Sequence, residues 1–225
     1  MVLLDCGDGS IRNLLKFGVN VNEISKIMIT HYHSDHLSGL TQVIETMGIR
    51  SKTSDLFVYG PPGLKDYFST VQKITNVASH RKFEVKLIEL GINRHFELTD
   101  QVSVETFQMD HTIPCLGYRL EISKDLVIAY TGDTMPCPAL PDLGRDADLF
   151  VHEATYLEKD REKARPPKHS TAKEAAIAAK SAHAKKLVMS HVADDYETPY
   201  EMTREARVEF SNAEVAFDGM VVDLG

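Results

Sequence analysis

Thr30-His-Tyr-His-Ser-Asp-His36 places three imidazoles and one carboxylate within six residues, directly after an apolar run at residues 24–30. The run predicts a short strand, and a chain that stays extended beyond it directs the side chains of His31 and His33 to the same side. Apolar residues at helical spacing follow, so Asp35 and His36 are predicted at a helix N-terminus. Neutral imidazole and carboxylate are ligands that suit zinc, iron and manganese.

The alternative to a metal site is a solvated polar loop whose histidines only cap the following helix. A strand, a ligand cluster and a helix occur here in the order that a metal-binding loop requires, and this order favours the metal site. One loop supplies only part of such a site. The sequence therefore predicts further ligands elsewhere in the chain.

Length and composition indicate a globular protein. The 225 residues are 43% hydrophobic, which is enough to bury a substantial core in one domain spanning residues 1–225. The sequence has no apolar run of about 18 residues, and its first residues lack the basic and apolar segments of a signal peptide. We therefore expect a soluble, cytoplasmic protein that does not bind membranes.

Cysteine usage and charge exclude two classes of function. Cys6, Cys115 and Cys137 are odd in number and widely spaced, which argues for a reducing compartment and against a disulfide framework or a cysteine zinc site. The net charge of −8 excludes a global basic surface for nucleic acid. A phosphate substrate must therefore be attracted locally, and bound metal ions are the expected source of positive charge.

Apolar patterns and turn residues predict strands and helices in alternation along most of the chain. Strands are predicted at residues 2–4, 24–30, 56–59, 85–90, 102–107, 117–122, 126–130, 149–151 and 187–189, with closing strands within residues 213–224. Helices are predicted at residues 11–17, 64–74, 171–184 and 199–210, and a tight turn at residues 123–125.

Four polar residues lie near the ends of predicted elements, where a sheet presents side chains to a shared rim. They are His111, Asp133, His169 and His191. Each one alone is more often a hydrogen-bonded loop residue, but together with residues 30–36 they favour two metal ions about 3.5–4 Å apart. The predicted ligands are His31, His33 and His111 for one ion and Asp35, His36 and His191 for the other, with Asp133 as the bridge. Such a site is typical of a two-metal hydrolase.

Short motifs are spread along nearly the whole chain. They are Leu4-Asp-Cys-Gly7, residues 30–36, Tyr59-Gly-Pro-Pro-Gly-Leu64, His111 with Gly117-Tyr-Arg, Thr131-Gly-Asp-Thr134, His152-Glu-Ala-Thr155, His169-Ser-Thr-Ala172, Ser190-His191 and Phe217-Asp-Gly-Met220. This set resembles the metallo-β-lactamase superfamily and, within it, the ribonuclease Z branch of tRNA 3′-processing endonucleases. The resemblance implies an α+β fold, the four-layer αββα sandwich of the metallo-β-lactamases.

The resemblance also implies a reaction and residue roles. It implies cleavage of phosphodiester bonds, with RNA as a candidate substrate, by hydroxide bound to two divalent ions, zinc or else manganese or iron. Asp35 would bind one ion and orient or deprotonate the nucleophile. His169 would protonate the leaving oxygen with Glu153 holding it, the alternative being a loop histidine beside helix-capping residues. Asp5 resembles the family's carboxylate that fixes ligand histidines, the alternative being a plain turn cap.

Three differences from the family limit what the resemblance implies. Only 21 residues separate His111 from Asp133, where ribonuclease Z proteins insert an arm that grips the tRNA elbow. The segment Val192-Ala-Asp-Asp-Tyr196 keeps a tyrosine but lacks the arginine that family members usually carry after the position of His191. The family's first strands have no counterpart ahead of Val2, which predicts a fragment or an unusually short member. We therefore expect weak tRNA binding, and a homodimer is left open.

The sequence leaves two other functions open. The same bimetal site hydrolyses thioesters, lactams or lactones, and loss of the arm would suit such a small substrate. The second alternative is a non-catalytic, metal-stabilised interaction module, although every expected ligand position is filled. The remaining histidines are assigned structural or solvated roles, and they are His80, His95, His152 and His183.

Overall fold

Two sheets organise the chain, one in each of the units Met1–Gly91 and Ile92–Gly225. The computed structural model describes residues 1–75, 81–123, 126–196 and 198–224. The expectation of one domain over residues 1–225 stays a prediction. In the described part of the chain, no helix combines the length and the apolar character that crossing a bilayer requires.

The first unit contains four parallel strands with helices between them. Its elements are β1 (Val2–Leu4), α1 (Ser10–Lys16), a 3-10 turn (Val21–Glu23), β2 (Lys26–Met28), α2 (Ser34–Leu37), α3 (Leu40–Ile49), β3 (Leu56–Gly60), α4 (Leu64–Thr75) and β4 (Val85–Glu89). The order across the sheet is β1-β2-β3-β4. Parallel neighbours need a crossover connection, which is why a helix separates each strand from the next.

The core of the first unit lies between this sheet and α3. Leu40, Val43, Ile44 and Met47 are fully buried at helical spacing, and they belong to one apolar cluster with Ile27 of β2. This packing anchors β2 and the chain that leaves it. The loop carrying residues 30–36 therefore begins from a buried strand and ends at a buried helix.

The second unit contains a mixed sheet of seven strands. Its elements are β5 (His95–Thr99), β6 (Val102–Met109), β7 (Cys115–Ile122), β8 (Leu126–Tyr130), α5 (Leu140–Leu143), β9 (Leu149–Glu153), a 3-10 turn (Glu158–Asp160), α6 (Arg161–Ala164), α7 (Ala172–Ser181), β10 (Leu187–Ser190), α8 (Tyr200–Glu209) and β11 (Ala213–Val215). The order across the sheet is β11-β10-β9-β8-β7-β6-β5.

Strand direction in the second sheet decides where its loops meet. Strands β5 to β8 pair antiparallel, whereas β8 to β11 pair parallel. Two antiparallel pairings separate β6 from β8, so these two strands run in the same direction. The carboxyl ends of β6, β8, β9 and β10 therefore lie along one edge of the sheet, where the predicted ligands of this unit follow them.

Most predicted elements are confirmed with shifts at their ends, and one is corrected. Closing strands were predicted within residues 213–224, but only Ala213–Val215 forms a strand in the described part of that segment. The chain turns instead, because the N–H of Met220 donates to the carbonyl of Phe217 at 3.0 Å and Gly219 has φ 83°. His80 and part of the predicted turn at residues 123–125 lie outside the described residues.

Candidate metal centre

The loop between β2 and α2 brings four of the predicted ligand side chains together in the first unit. They form the first ligand group, His31, His33, Asp35 and His36. Nε2 of His31 lies 3.1 Å from Nδ1 of His33, and the ring centroids of His31 and His36 are 4.1 Å apart. Nε2 of His36 lies 3.4 Å from Oδ2 of Asp35. The extended backbone of His33 precedes α2, so Asp35 and His36 lie in the first turn of that helix as predicted.

Asp5 fixes the first ligand group from the end of β1. Its carboxylate accepts the backbone N–H of Thr30 at 2.7 Å, the hydroxyl of Thr30 at 2.9 Å and Nδ1–H of His36 at 2.8 Å. The bond from Nδ1 of His36 to this carboxylate fixes the ring and directs Nε2 toward Asp35. These contacts with Thr30 and His36 assign Asp5 to ligand orientation, and the simple turn cap is not what the structure shows.

Two glycines allow the turn after β1 to lie directly against α2. A Cβ on Gly7 would lie 1.5 Å from the carbonyl oxygen of Asp35, and a Cβ on Gly39 would lie 2.2 Å from that of Gly7. Two backbone hydrogen bonds join the turn to the helix. The N–H of Cys6 donates to the carbonyl of His36 at 2.8 Å, and the N–H of Gly39 donates to the carbonyl of Cys6 at 2.9 Å. Burial raises the pKa of the Cys6 thiol to about 12, so Cys6 has a structural role.

Loops at the shared edge of the second sheet bring three further predicted ligands together. They form the second ligand group, His111 after β6, Asp133 after β8 and His191 after β10. Oδ2 of Asp133 lies 3.7 Å from Nε2 of His111 and 3.3 Å from Nε2 of His191. Asp133 is only 2% exposed, so its carboxylate is buried between the two imidazoles.

The other ring nitrogens of the second ligand group are fixed by hydrogen bonds. Nδ1 of His111 lies 3.4 Å from the carbonyl of Lys168, which can only accept. Nδ1 of His191 lies 2.9 Å from the hydroxyl of Thr155, whose own proton goes to Glu153 at 2.9 Å. Both Nδ1 atoms are therefore donors, and both Nε2 atoms are directed toward Asp133.

His169 is held beside the second ligand group by the buried carboxylate of Glu153. Nδ1 of His169 lies 2.8 Å from Oε1 of Glu153, and its ring stacks on that of His191 with centroids 5.1 Å apart. Glu153 is 1% exposed and also accepts the backbone N–H groups of Thr134, Thr155 and Ser170 at 3.0–3.1 Å. Thr171 caps α7, as the alternative expects, but capping does not account for the hydrogen bond between His169 and Glu153.

Both ligand groups fit divalent metal ions. In the second group one buried carboxylate oxygen of Asp133 lies within 3.7 Å of two Nε2 atoms, and in the first group Oδ2 of Asp35 lies 3.4 Å from Nε2 of His36. A cation between these atoms would be bound by imidazole and carboxylate together. Imidazole nitrogen combined with carboxylate oxygen is a donor set that zinc, iron and manganese accept, and zinc is plausible.

The other described histidines take the structural and solvated roles assigned from sequence. His152 is fully buried, its ring packs edge-on against Phe150, and burial lowers its pKa. His95 and His183 are exposed. The sequence analysis did not identify Thr155, Thr134 or the carbonyl of Lys168 as supports of the site. Of these, Thr155 could have been found from sequence, because it belongs to the motif His152-Glu-Ala-Thr155, two residues beyond Glu153.

Comparisons with known proteins place both units in one family. A beta-lactamase superfamily domain model matches residues 1–192. Ribonuclease Z of Bacillus thuringiensis (strain Al Hakam) is 31% identical over 268 aligned positions, covering 96% of this chain and 86% of the relative. The alignment is longer than the chain, so the relative has segments without a counterpart here. These relatives do not favour the thioester, lactam or interaction-module alternatives.

Solved structures agree in fold. The structure of human tRNase Z, short form (ELAC1), matches with a TM-score of 0.82 and 28% identity over 100% of this chain and 88% of that chain. The metallo-beta-lactamase fold protein YhfI from Bacillus subtilis also has a TM-score of 0.82, at 21% identity over 99% of this chain and 87% of that one. The predicted α+β class and metallo-β-lactamase fold are confirmed. The chain therefore belongs to the metallo-β-lactamase superfamily and, within it, to the ribonuclease Z branch.

Proposed function

We propose that this chain is a metal-dependent hydrolase of phosphodiester bonds, of the ribonuclease Z type. The observation that carries the proposal is the hydrogen bond of 2.8 Å between His169 and the buried carboxylate of Glu153, directly beside His191 and Asp133. A histidine oriented by a carboxylate is suited to donate a proton to a leaving oxygen. The similarity to ribonuclease Z and tRNase Z supports a phosphodiester as the bond that is cleaved.

The ligand groups of the two units together are proposed to hold two divalent ions, zinc or else manganese or iron. His31, His33 and His111 would bind one ion, Asp35, His36 and His191 would bind the other, and Asp133 would bridge them. Two such ions, when bound, supply hydroxide at neutral pH and neutralise charge on the phosphoryl oxygens. The donor types and the proximity of the histidine Nε2 atoms to Asp133 and Asp35 support this assignment.

The side chains of the chain itself then supply proton transfer. Asp35 is exposed enough to meet a substrate and would orient or deprotonate the nucleophile. His169 would donate its proton to the leaving oxygen, and Glu153 would stabilise the positively charged form of the ring. The donors around Glu153 hold that carboxylate in place, so the ring of His169 is held in one orientation.

A substrate panel tests the proposal. Protein loaded with zinc or manganese should hydrolyse bis(p-nitrophenyl) phosphate and an unstructured RNA oligonucleotide. His183→Ala removes an exposed histidine and should leave both rates unchanged. It is the matched control for variants in which a histidine of the site is replaced. Protein that carries about two ions per chain and hydrolyses no phosphodiester would overturn the proposal, whereas thioester or lactam turnover alone would replace it with another hydrolase.

RNA is the proposed substrate class, and folded tRNA is expected to bind weakly. Only 21 residues separate His111 from Asp133, and the net charge of −8 offers no evident replacement for an arm that contacts phosphates far from the cut. Cleavage of a 3′-extended precursor tRNA should therefore show the same poor apparent affinity as cleavage of its isolated acceptor stem. Tight cleavage that depends on the tRNA elbow would contradict this expectation. The cytoplasmic location and the homodimer stay predictions.

A further inference from the structure

A hydrogen-bonded turn between α6 and α7 carries His169. The N–H of Lys168 donates to the carbonyl of Arg165 at 3.1 Å, and the N–H of His169 donates to that of Ala164 at 2.9 Å. Two prolines inside the turn, at positions 166 and 167, restrict φ there to about −65°. The place of the His169 ring therefore depends on how this turn is held against the elements around it.

The guanidinium of Arg165 joins the turn to the start of α7. Nη1 donates to the carbonyl of His169 at 3.2 Å, and Nη2 donates to Oε1 of Glu174. The other oxygen of Glu174 accepts the N–H of Thr171 at 3.1 Å, as part of the capping box of α7. Because the N–H groups of a guanidinium are fixed in one plane, this side chain sets the distance between the backbone of His169 and the helix.

Burial increases the importance of these two bonds. His169 is 9% exposed, and the side chain of Glu174 is also 9% exposed. A hydrogen bond from a charged donor is stronger than a neutral one, and a buried acceptor that loses its donor costs free energy. Without Arg165 the carbonyl of His169 would lose this donor, and we expect the turn to move toward water to replace it.

Arg161 binds the same carboxylate and does not reach His169. Its Nε lies 3.2 Å from Oε1 of Glu174 and its Nη1 lies 3.7 Å from Oε1 of Glu158, and among the described residues these are its charged partners. The side chain is 53% exposed, so water screens both ion pairs. The two arginines share Glu174 and differ in the bond to His169, which makes Arg161 the matched control.

We infer that Arg165 is a positioning residue, which holds the His169 ring where it can protonate the leaving oxygen. Arginine does not release its proton in proteins, so Arg165 acts through His169 and transfers no proton itself. Misplacement of a catalytic group by about 1 Å can cost about 10²-fold in rate. The inference rests on the proposed function and adds a residue to its machinery.

Two arginine variants test this role on two substrates. Arg165→Ala should lose about 10- to 100-fold in rate on an RNA phosphodiester and much less on bis(p-nitrophenyl) phosphate, whose leaving group needs little protonation. Arg161→Ala should leave both rates nearly unchanged, because an exposed ion pair contributes little. Arg165→Lys keeps the charge beside Glu174 but lacks the planar fork, so it should show the same selective loss and replaces the alanine variant if that one does not fold.

Combination with His169→Ala distinguishes positioning from an independent contribution. Once the ring is gone, Arg165 has nothing left to position. The double variant should therefore cleave RNA at the rate of His169→Ala alone. A loss in the double variant equal to the product of the two single losses would overturn the inference.

Amide hydrogen exchange gives a readout that does not depend on turnover. In the metal-loaded protein, the amides of Lys168 and His169 should exchange faster in Arg165→Ala than in the parent and in Arg161→Ala, because the turn that holds them opens more often. The amide of Ala182, which donates to Ala178 at the far end of α7, is the internal reference. Unchanged exchange at Lys168 and His169 would overturn the inference.

The remaining outcomes separate the inference from the function beneath it. An equal loss on both substrates in Arg165→Ala would overturn the inference, since the residue would then serve folding or metal binding. Equal rates in Arg165→Ala and Arg161→Ala would also overturn it. Failure of the parent protein to hydrolyse any phosphodiester would overturn the proposed function instead, and the exchange measurement would still decide whether Arg165 holds the turn.

Discussion

The two ligand groups differ in how the chain assembles them. The first comes from one segment of six residues, and a single carboxylate, Asp5, fixes His36 and the backbone that precedes the segment. The second comes from three loops of the seven-stranded sheet, and its histidines are fixed by a carbonyl of Lys168 and a hydroxyl of Thr155. The first group needs one loop to fold locally, whereas the second needs several strands in register.

The largest expected effect comes from the centre of the second group. Asp133→Ala should abolish hydrolysis of bis(p-nitrophenyl) phosphate and lower bound metal, because a bridging carboxylate serves both ions. Elemental analysis and initial rates measure the two effects together. Asp142→Ala removes an exposed carboxylate and is the control. A fully metallated and active Asp133→Ala protein would show that the bridge is assigned wrongly.

A second prediction separates proton transfer from metal binding in the same unit. His169→Ala should keep its metal and lose about 10²- to 10⁴-fold in rate on an RNA phosphodiester, the usual contribution of a general acid. The loss on bis(p-nitrophenyl) phosphate should be much smaller, because that leaving group needs little protonation. An equal loss on both substrates would instead indicate a binding or structural role for His169.

A third prediction compares the supports of the two groups directly. Asp5→Asn and Thr155→Val should each weaken metal affinity within the range of about 10- to 100-fold that loss of such a support typically costs. The loss should be larger for Asp5, because its bond to His36 involves a charge and it also fixes Thr30. Competition with a chelator gives both affinities. A larger loss for Thr155→Val would reverse the comparison.

The smallest predicted effect concerns stability and the buried His152. Burial lowers the pKa of folded His152 below the ordinary histidine value of about 6.5, so the unfolded chain binds a proton more readily than the folded chain. The contribution of neutral His152 to the free energy of unfolding is therefore fully present above pH 6.5 and is lost as the pH falls below it. His152→Gln should therefore reduce the drop in unfolding free energy between pH 7.5 and 5.5 by up to about 1.4 kcal/mol.

Denaturant titrations of both proteins at the two pH values measure this difference. His95→Gln, an exposed histidine on β5, is the control and should leave the drop unchanged. The same drop in the His152→Gln protein as in the parent would mean that the buried ring takes up a proton without cost.

Sequence reasoning predicted which residues lie together where spacing or strand direction carried the information. The members of the first group are neighbours in sequence, and His111, Asp133 and His191 each follow an apolar strand, while their role as ligands stays a prediction. The contact of the Lys168 carbonyl with His111 could not be predicted from sequence, because every residue has a backbone carbonyl and only the tertiary fold brings this one to His111. The separation of α2 from α3 was also missed, because the apolar spacing continues through Gly39, whose backbone N–H donates to the carbonyl of Cys6 at 2.9 Å and not within the helix.

Asp5, Lys168 and His191 share a left-handed backbone, with φ of 55°, 59° and 59°. Aspartate and histidine are among the few types other than glycine that adopt it readily, whereas β-branched residues do so at high cost. At positions 5 and 191, therefore, the residue types that suit the proposed role in the site are also among those that the left-handed backbone tolerates. Anyone redesigning this centre for another metal has asparagine or glycine as conformationally neutral replacements there, and valine or threonine would disturb the loop before any question of coordination arose.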